Sequence, residues 1–171
     1  MVNHIDITTS TSKHVLTFDE LADIHYKNEY GHGHLHLACM QDFTSIIPLL
    51  IAKGSDINAI SHHGNTPLHI ACSVGFEDIV HILLEMGADP NIANVHGDTP
   101  LHDVCKKGAS IEGSYFQSLR RTEMYSVIAK LLIKFGADCK AINSNGLSPN
   151  QEAERLGYDD ITNIFKFIQY N

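Results

Sequence analysis

Apolar residues fall in short blocks along this chain, at spacings that fit helices. Downstream of Gly75, the positions Ile79, Val80, Ile82, Leu83 and Leu84 line one helical face. Helix starts are marked at Thr66-Pro67 and Thr99-Pro100: a threonine hydroxyl at the N-cap accepts from an orphan backbone N–H, and proline suits the first helical position, where no N–H is required. Gly75 and Gly108 permit a sharp turn into a second helix, while Gly54, Gly87 and Gly136 fit the left-handed residue that ends one. Asp56-Ile57-Asn58 and Asp89-Pro90-Asn91 then lead into extended, turn-rich connections. The pattern predicts an all-α chain of paired short helices joined by short hairpin loops.

These signals recur. Gly64-Asn65-Thr66-Pro67-Leu68-His69 returns 33 residues later as Gly97-Asp98-Thr99-Pro100-Leu101-His102, and Ala71-Cys72 is answered by Val104-Cys105. Gly87-Ala88-Asp89 is answered by Gly136-Ala137-Asp138, 49 residues away, so the third unit carries about 16 extra residues, placed near 109–124. An earlier unit, Gly31 to Cys39, keeps His36, Ala38 and Cys39 but has Gly33-His34 in place of Thr-Pro. A fourth, shorter unit begins Gly146-Leu147-Ser148-Pro149 and continues through Ala153, Gly157 and Ile161.

A period of 33 residues around a Thr-Pro-Leu-His core resembles the ankyrin-repeat family. The resemblance covers residues 30–171 and implies a solenoid of about four stacked helix-turn-helix units, preceded by an arm and capping helix at 1–29. A single unit cannot bury its own apolar face; stacking builds a continuous core. The ends need covers. At the front, Thr17-Phe18-Asp19-Glu20 is a capping box leading into Leu21, Ala22, Ile24 and Tyr26, a short amphipathic helix. At the back, Ala153, Leu156, Ile161, Ile164, Phe165 and Ile168 are expected to face inward, with Glu152, Glu154, Arg155, Asp159 and Asp160 outward. Pro48 and the missing Thr-Pro make the front less regular, and residues 1–14 are expected to be disordered.

Composition narrows the setting. The 171 residues are 43% hydrophobic, no run of 18 apolar residues suggests a membrane span, and Met1 to Ser12 has no apolar core of the secretory type. A cytoplasmic location, including the cytosol of a host cell, is the expectation. Cys39, Cys72 and Cys105 recur every 33 residues at one point of the first helix, so they stack roughly 10 Å apart rather than pair, as small core residues. Twelve Lys and Arg against 20 Asp and Glu give a net charge of −8, the wrong sign for a phosphate backbone.

Twelve histidines invite a metal reading. His36, His69 and His102, however, occupy the repeat's own histidine position, whose family role is to bond backbone and hold neighbouring units in register. His32, His34, His62, His63 and His96 remain, several of them at hairpin tips. A row of imidazoles there is an alternative metal or acid-responsive site, but its spacing is that of the repeat and not of a tetrahedral ligand set. No metal, cofactor or catalytic residue is assigned: there is no nucleophile elbow and no phosphate-cradling glycine loop.

Function then belongs to surfaces that stacking leaves open. What the resemblance implies is a concave protein-binding face of hairpin tips and first helices: His62, Asn65, Ser73 and Val74 in unit two, Val95, Asp98, Lys106 and Lys107 in unit three, extended by Met40, Gln41 and Leu147. The insertion is a second candidate, because Tyr115, Phe116, Leu119, Arg120 and Arg121 are of types enriched at binding hot spots; the alternative is that it extends the following helix and seals the scaffold. The expected activity is that of a monomeric, non-enzymatic adaptor for another protein, with no nucleic-acid or membrane partner. A virulence or host-signalling effector is the favoured setting and a housekeeping assembly chaperone or subunit the rival. Asn58 and Asn91, the latter seven residues after Leu84, resemble hairpin asparagines that hydroxylases modify.

Overall fold

The computed structural model describes residues 23–108 and 115–169, with side chains described for 23–108 and 120–166. Eight α-helices run through these residues: α1 His34–Met40, α2 Ile47–Ala52, α3 Pro67–Val74, α4 Glu77–Glu85, α5 Pro100–Gly108, α6 Tyr115–Lys134, α7 Pro149–Arg155 and α8 Asp159–Gln169. Among the described residues there is no strand. The odd-numbered helices pack in a row, α1 on α3 on α5 on α7, and the even-numbered ones form a second row behind them. Each consecutive pair is one unit of a two-layer solenoid.

Local chemistry starts each inner helix as the sequence predicts. Pro67, Pro100 and Pro149 open α3, α5 and α7. The Thr66 Oγ1 accepts the His69 N–H at 3.3 Å and the Ser148 Oγ accepts the Gln151 N–H at 3.3 Å, satisfying orphan donors of the first turn. Gly75 ends α3 at φ 91, a left-handed conformation. The equivalent residue of unit one is Asp42, the one non-glycine residue with positive φ among those described, at 58. There α2 also begins from a 3₁₀ turn at Thr44–Ile46, with Pro48 at its second position. Unit one is therefore the least regular, as expected.

The core lies between the two rows. Cys39, Cys72, Cys105 and Ala153 are fully buried against Ile47, Ile79, Leu83, Ile128, Leu132 and Ile161. Burial of each large side chain contributes about 1.5–3 kcal/mol. The cysteines are free, and burial pushes the thiols of Cys39, Cys72 and Cys105 far up. They act as small apolar wedges.

The structure departs from the sequence reading in three places. Residues 17–20 lie outside the described residues, and Ile24 and Tyr26 are not helical; Tyr26 instead stacks on the buried His34 ring at 4.9 Å. Gly108 is the last residue of α5, without left-handed φ, and its missing Cβ makes room for the Tyr158 ring. Glu152, assigned to the outer face, is 0% exposed, whereas Leu156, assigned inward, is 37% exposed. For the insertion the structure takes the alternative reading: α6 begins at Tyr115 and runs unbroken into the second helix of unit three.

Candidate protein-binding face

Neighbouring units are locked by backbone acceptors. His36, His69 and His102 each point Nε2 at a carbonyl oxygen of the next unit, those of Asn65, Asp98 and Leu147, at 2.9, 3.0 and 3.1 Å. Their Nδ1 atoms accept the N–H groups of Gly33, Thr66 and Thr99 at 3.3, 3.1 and 3.1 Å. A ring that accepts at Nδ1 and donates at Nε2 is neutral. Burial lowers the pKa of all three, that of His36 to about 4.

The hairpin tips form a second set of links. The N–H groups of His62, Val95 and Ser144 donate to the carbonyls of Tyr30, His63 and His96 at 3.0, 3.1 and 2.9 Å, always from one unit to the unit before it. Backbone satisfied in this way frees the side chains, and His62, His63, Val95 and His96 are exposed. Among the described residues no three His, Cys, Asp or Glu side chains converge as metal ligands.

Beneath the tips, a polar network joins units three and four. Asn143 Nδ2 donates to Asp98 Oδ1 at 2.9 Å and to Glu152 Oε1 at 3.1 Å, while Lys106 Nζ reaches Asp98 Oδ2 at 2.5 Å and lies 3.9 Å from Glu152. Arg155 closes the far side at 2.8 Å from Glu152 Oε2. Burial works to raise the Glu152 carboxyl, but Arg155, Asn143 and Lys106 outweigh it and hold it below its ordinary value. Asp98 is only 4% exposed. Asp98 and Lys106 were assigned to partner binding from sequence; the structure pairs them with each other, Asp98 buried and Lys106 half-buried, and an unpaired buried carboxylate would be costly. Leu147 is half-buried, and its backbone serves both His102 and Asn143.

The open part of the inner face lies in units one and two. Met40 and Val74 are each 44% exposed, and Leu37, Ile70, Gln41, Asn65 and Ser73 are half-buried. Asn65 is tied to the next unit through Asn94 Nδ2 at 3.0 Å. Lys107 is exposed at the end of α5, and half-buried Asp103 lies one turn before it.

At the other end of the helices, Tyr115, Phe116 and Leu119 lie on the first turns of α6, and their side chains fall outside those described. Arg120 is exposed and Arg121 lies half-buried beside Tyr125. The remainder of the insertion seals the scaffold: Met124 covers Gly75, Tyr125 donates its hydroxyl to the Ser73 carbonyl at 2.9 Å, and Tyr158 donates to the Thr122 carbonyl at 2.5 Å. Asn58 and Asn91 also act as bridges. Asn58 accepts the Asp89 N–H at 2.9 Å; Asn91 accepts the Asp138 N–H at 2.7 Å and donates to the Gly136 carbonyl at 2.9 Å.

Sequence reasoning did not single out Asp103 or Asn143 and placed Glu152 on the outer face. Asp103 and Glu152 were visible as acids at the fourth position of α5 and α7, where Leu37 and Ile70 stand in α1 and α3.

Paired helices in two rows, stitched by a histidine and a hairpin tip at a fixed period, define a helical-repeat scaffold. A family model described as ankyrin repeats, in three copies, matches residues 8–94 and 35–113. The chain belongs to the ankyrin-repeat family, whose repeats bind other proteins. No curated protein matches it.

Proposed function

We propose that this chain is a monomeric, non-enzymatic adaptor that holds a partner protein on its inner face, in the cytosol, as a modulator of host signalling. The observation that carries the reading is a division of labour within each unit. The repeat histidines and the tip backbone atoms are occupied by inter-unit bonds, whereas Met40, Val74, Val95 and Lys107 differ from unit to unit and stay exposed. Exposed apolar side chains in a concave row, rimmed by polar ones, are a common form of interaction site. Arg120 with the Tyr115 turn is the second contact region.

The test is affinity capture from cell lysate by the full chain beside three folded variants: Met40→Glu with Val74→Glu, Lys107→Glu, and Tyr115→Ala with Phe116→Ala. Lys106 is left alone because Asp98 and Glu152 depend on it. A partner lost with the first variant supports the inner face; loss with the third alone moves the site to α6; a partner unaffected by all three, or none at all, overturns the reading. The partner's identity decides between a host-signalling protein and a housekeeping assembly.

A further inference from the structure

The junction of units three and four carries a charge pairing that the junction of units two and three lacks. On α5 and α7 the fourth residue is an acid, Asp103 or Glu152, and the seventh a base, Lys106 or Arg155. Lys106 does not pair with the acid of its own helix. Its ammonium goes to Asp98 at 2.5 Å and lies 3.9 Å from Glu152 in the next unit. At this one junction the base at the seventh position of α5 thus also reaches the acid at the fourth position of α7, while Arg155 serves the acid of its own helix. One unit earlier, the seventh position of α3 is Ser73, which carries no charge.

Asp103 is left short of a cation. Among the described residues no side chain donates to its carboxyl or forms an ion pair with it. The carboxyl is half-buried toward α3, where its charge acts on the Cys72 thiol. Burial, with Asp98 adding to it against the pull of Lys106 and Lys107, raises it to about 7. On α3, the helix packed against α5, Ile70 is half-buried and Val74 exposed.

We infer that the groove between α3 and α5 receives a lysine or arginine side chain from a partner protein, its cationic head on Asp103 and its apolar neighbours on Ile70 and Val74. The inference rests on the inner-face reading above and gives that face a chemistry: an added cation completes in trans what Lys106 does in cis one unit later.

Random peptides displayed on phage and selected on the full chain test it. The expected result is enrichment of peptides with a Lys or Arg between apolar residues. Their affinity should fall about tenfold or more on Asp103→Asn, which removes one charge-assisted contact at nearly constant shape, and similarly on Ser73→Lys, which supplies the cation internally. Independently of any peptide, carbon-13 NMR should show the Asp103 carboxyl titrating well below 7 in the Ser73→Lys protein. An unmoved titration overturns the inference. So do enriched peptides that lack a base, or that bind Asp103→Asn unchanged; if these are lost on Val74→Glu, the inner-face reading survives. Peptides indifferent to both Asp103→Asn and Val74→Glu, or no enrichment on the folded chain, overturn both.

Discussion

The front two units and the back two are built on one frame and finished with opposite chemistry. At the fourth and seventh inner-helix positions the front has Leu37 with Met40 and Ile70 with Ser73; the back has Asp103 with Lys106 and Glu152 with Arg155. The frame tolerates both because the inter-unit bonds end on backbone carbonyls, which every residue supplies. The difference teaches that these two positions are independent of folding the unit. A buried charge there is acceptable where polar groups answer it, and Glu152, fully buried, is answered by Lys106 of the preceding unit and by Asn143 and Arg155 of its own.

The largest effect should be shared by both halves. Leu68→Ala and Leu101→Ala empty equivalent, buried second positions of α3 and α5, and each should cost about 2–5 kcal/mol in urea unfolding. Clearly unequal losses would break the idea of a common frame. Acid should next set the halves apart. The His36 pKa falls from 6.5 to about 4 on folding, through burial and the nearby His32 and Lys27 charges, against the opposing pull of its Asn65 bond. Its contribution is complete above about pH 6.5 and is lost as pH falls toward 4, about 3 kcal/mol at most. Asp103 works with the opposite sign: its folded pKa is raised from 3.8 to about 7, so its penalty is absent below pH 3.8 and grows as pH rises through 7. Unfolding followed from pH 8 to 4 should show the two partly cancelling.

Glu152→Ala should cost about 1–3 kcal/mol, the range for leaving buried polar partners unsatisfied. Pairing it with Lys106→Ala in a double-mutant cycle should reveal coupling, whereas Ile70→Ala with Met40→Ala should be nearly additive. Asp103→Asn should stabilise the protein at pH 8, by about 1–2 kcal/mol after allowance for a carboxyl that reaches solvent, and leave it unchanged at pH 3. Smallest of all, Asn91→Ala should cost about 1 kcal/mol and Asn58→Ala about half of that, since the back bridge makes two hydrogen bonds and the front bridge one. Thermal melts of the two variants read this directly.

Much of this was legible in the sequence because its causes are local and repeat. Thr66 caps the helix that Pro67 opens, and His69 reaches a carbonyl 29 residues on; the period of 33 exposes all of them. Glu152 was misplaced because its burial depends on Lys106 and Asn143, which come together only after the insertion has been folded aside. Gly108 was misread for the same reason: its neighbour is Tyr158, contributed by the following unit. The exposure of the candidate surface residues was half legible. Exposure at Val74 and Val95 followed from their repeat positions, but the internal commitment of Asp98 needed the partner side chains in place.

The tip bonds all run one way, from His62 to Tyr30, from Val95 to His63 and from Ser144 to His96. Mechanically, such a chain of fasteners is in series: pulled from its two ends, every joint carries the same tension and the weakest opens first. The first unit to yield should be the front one, whose inner turn is held by Asp42 in the left-handed conformation that Gly75 holds in unit two. The protein should extend under load in steps of one unit, beginning at the N-terminal side, like a spring whose first coil is the softest.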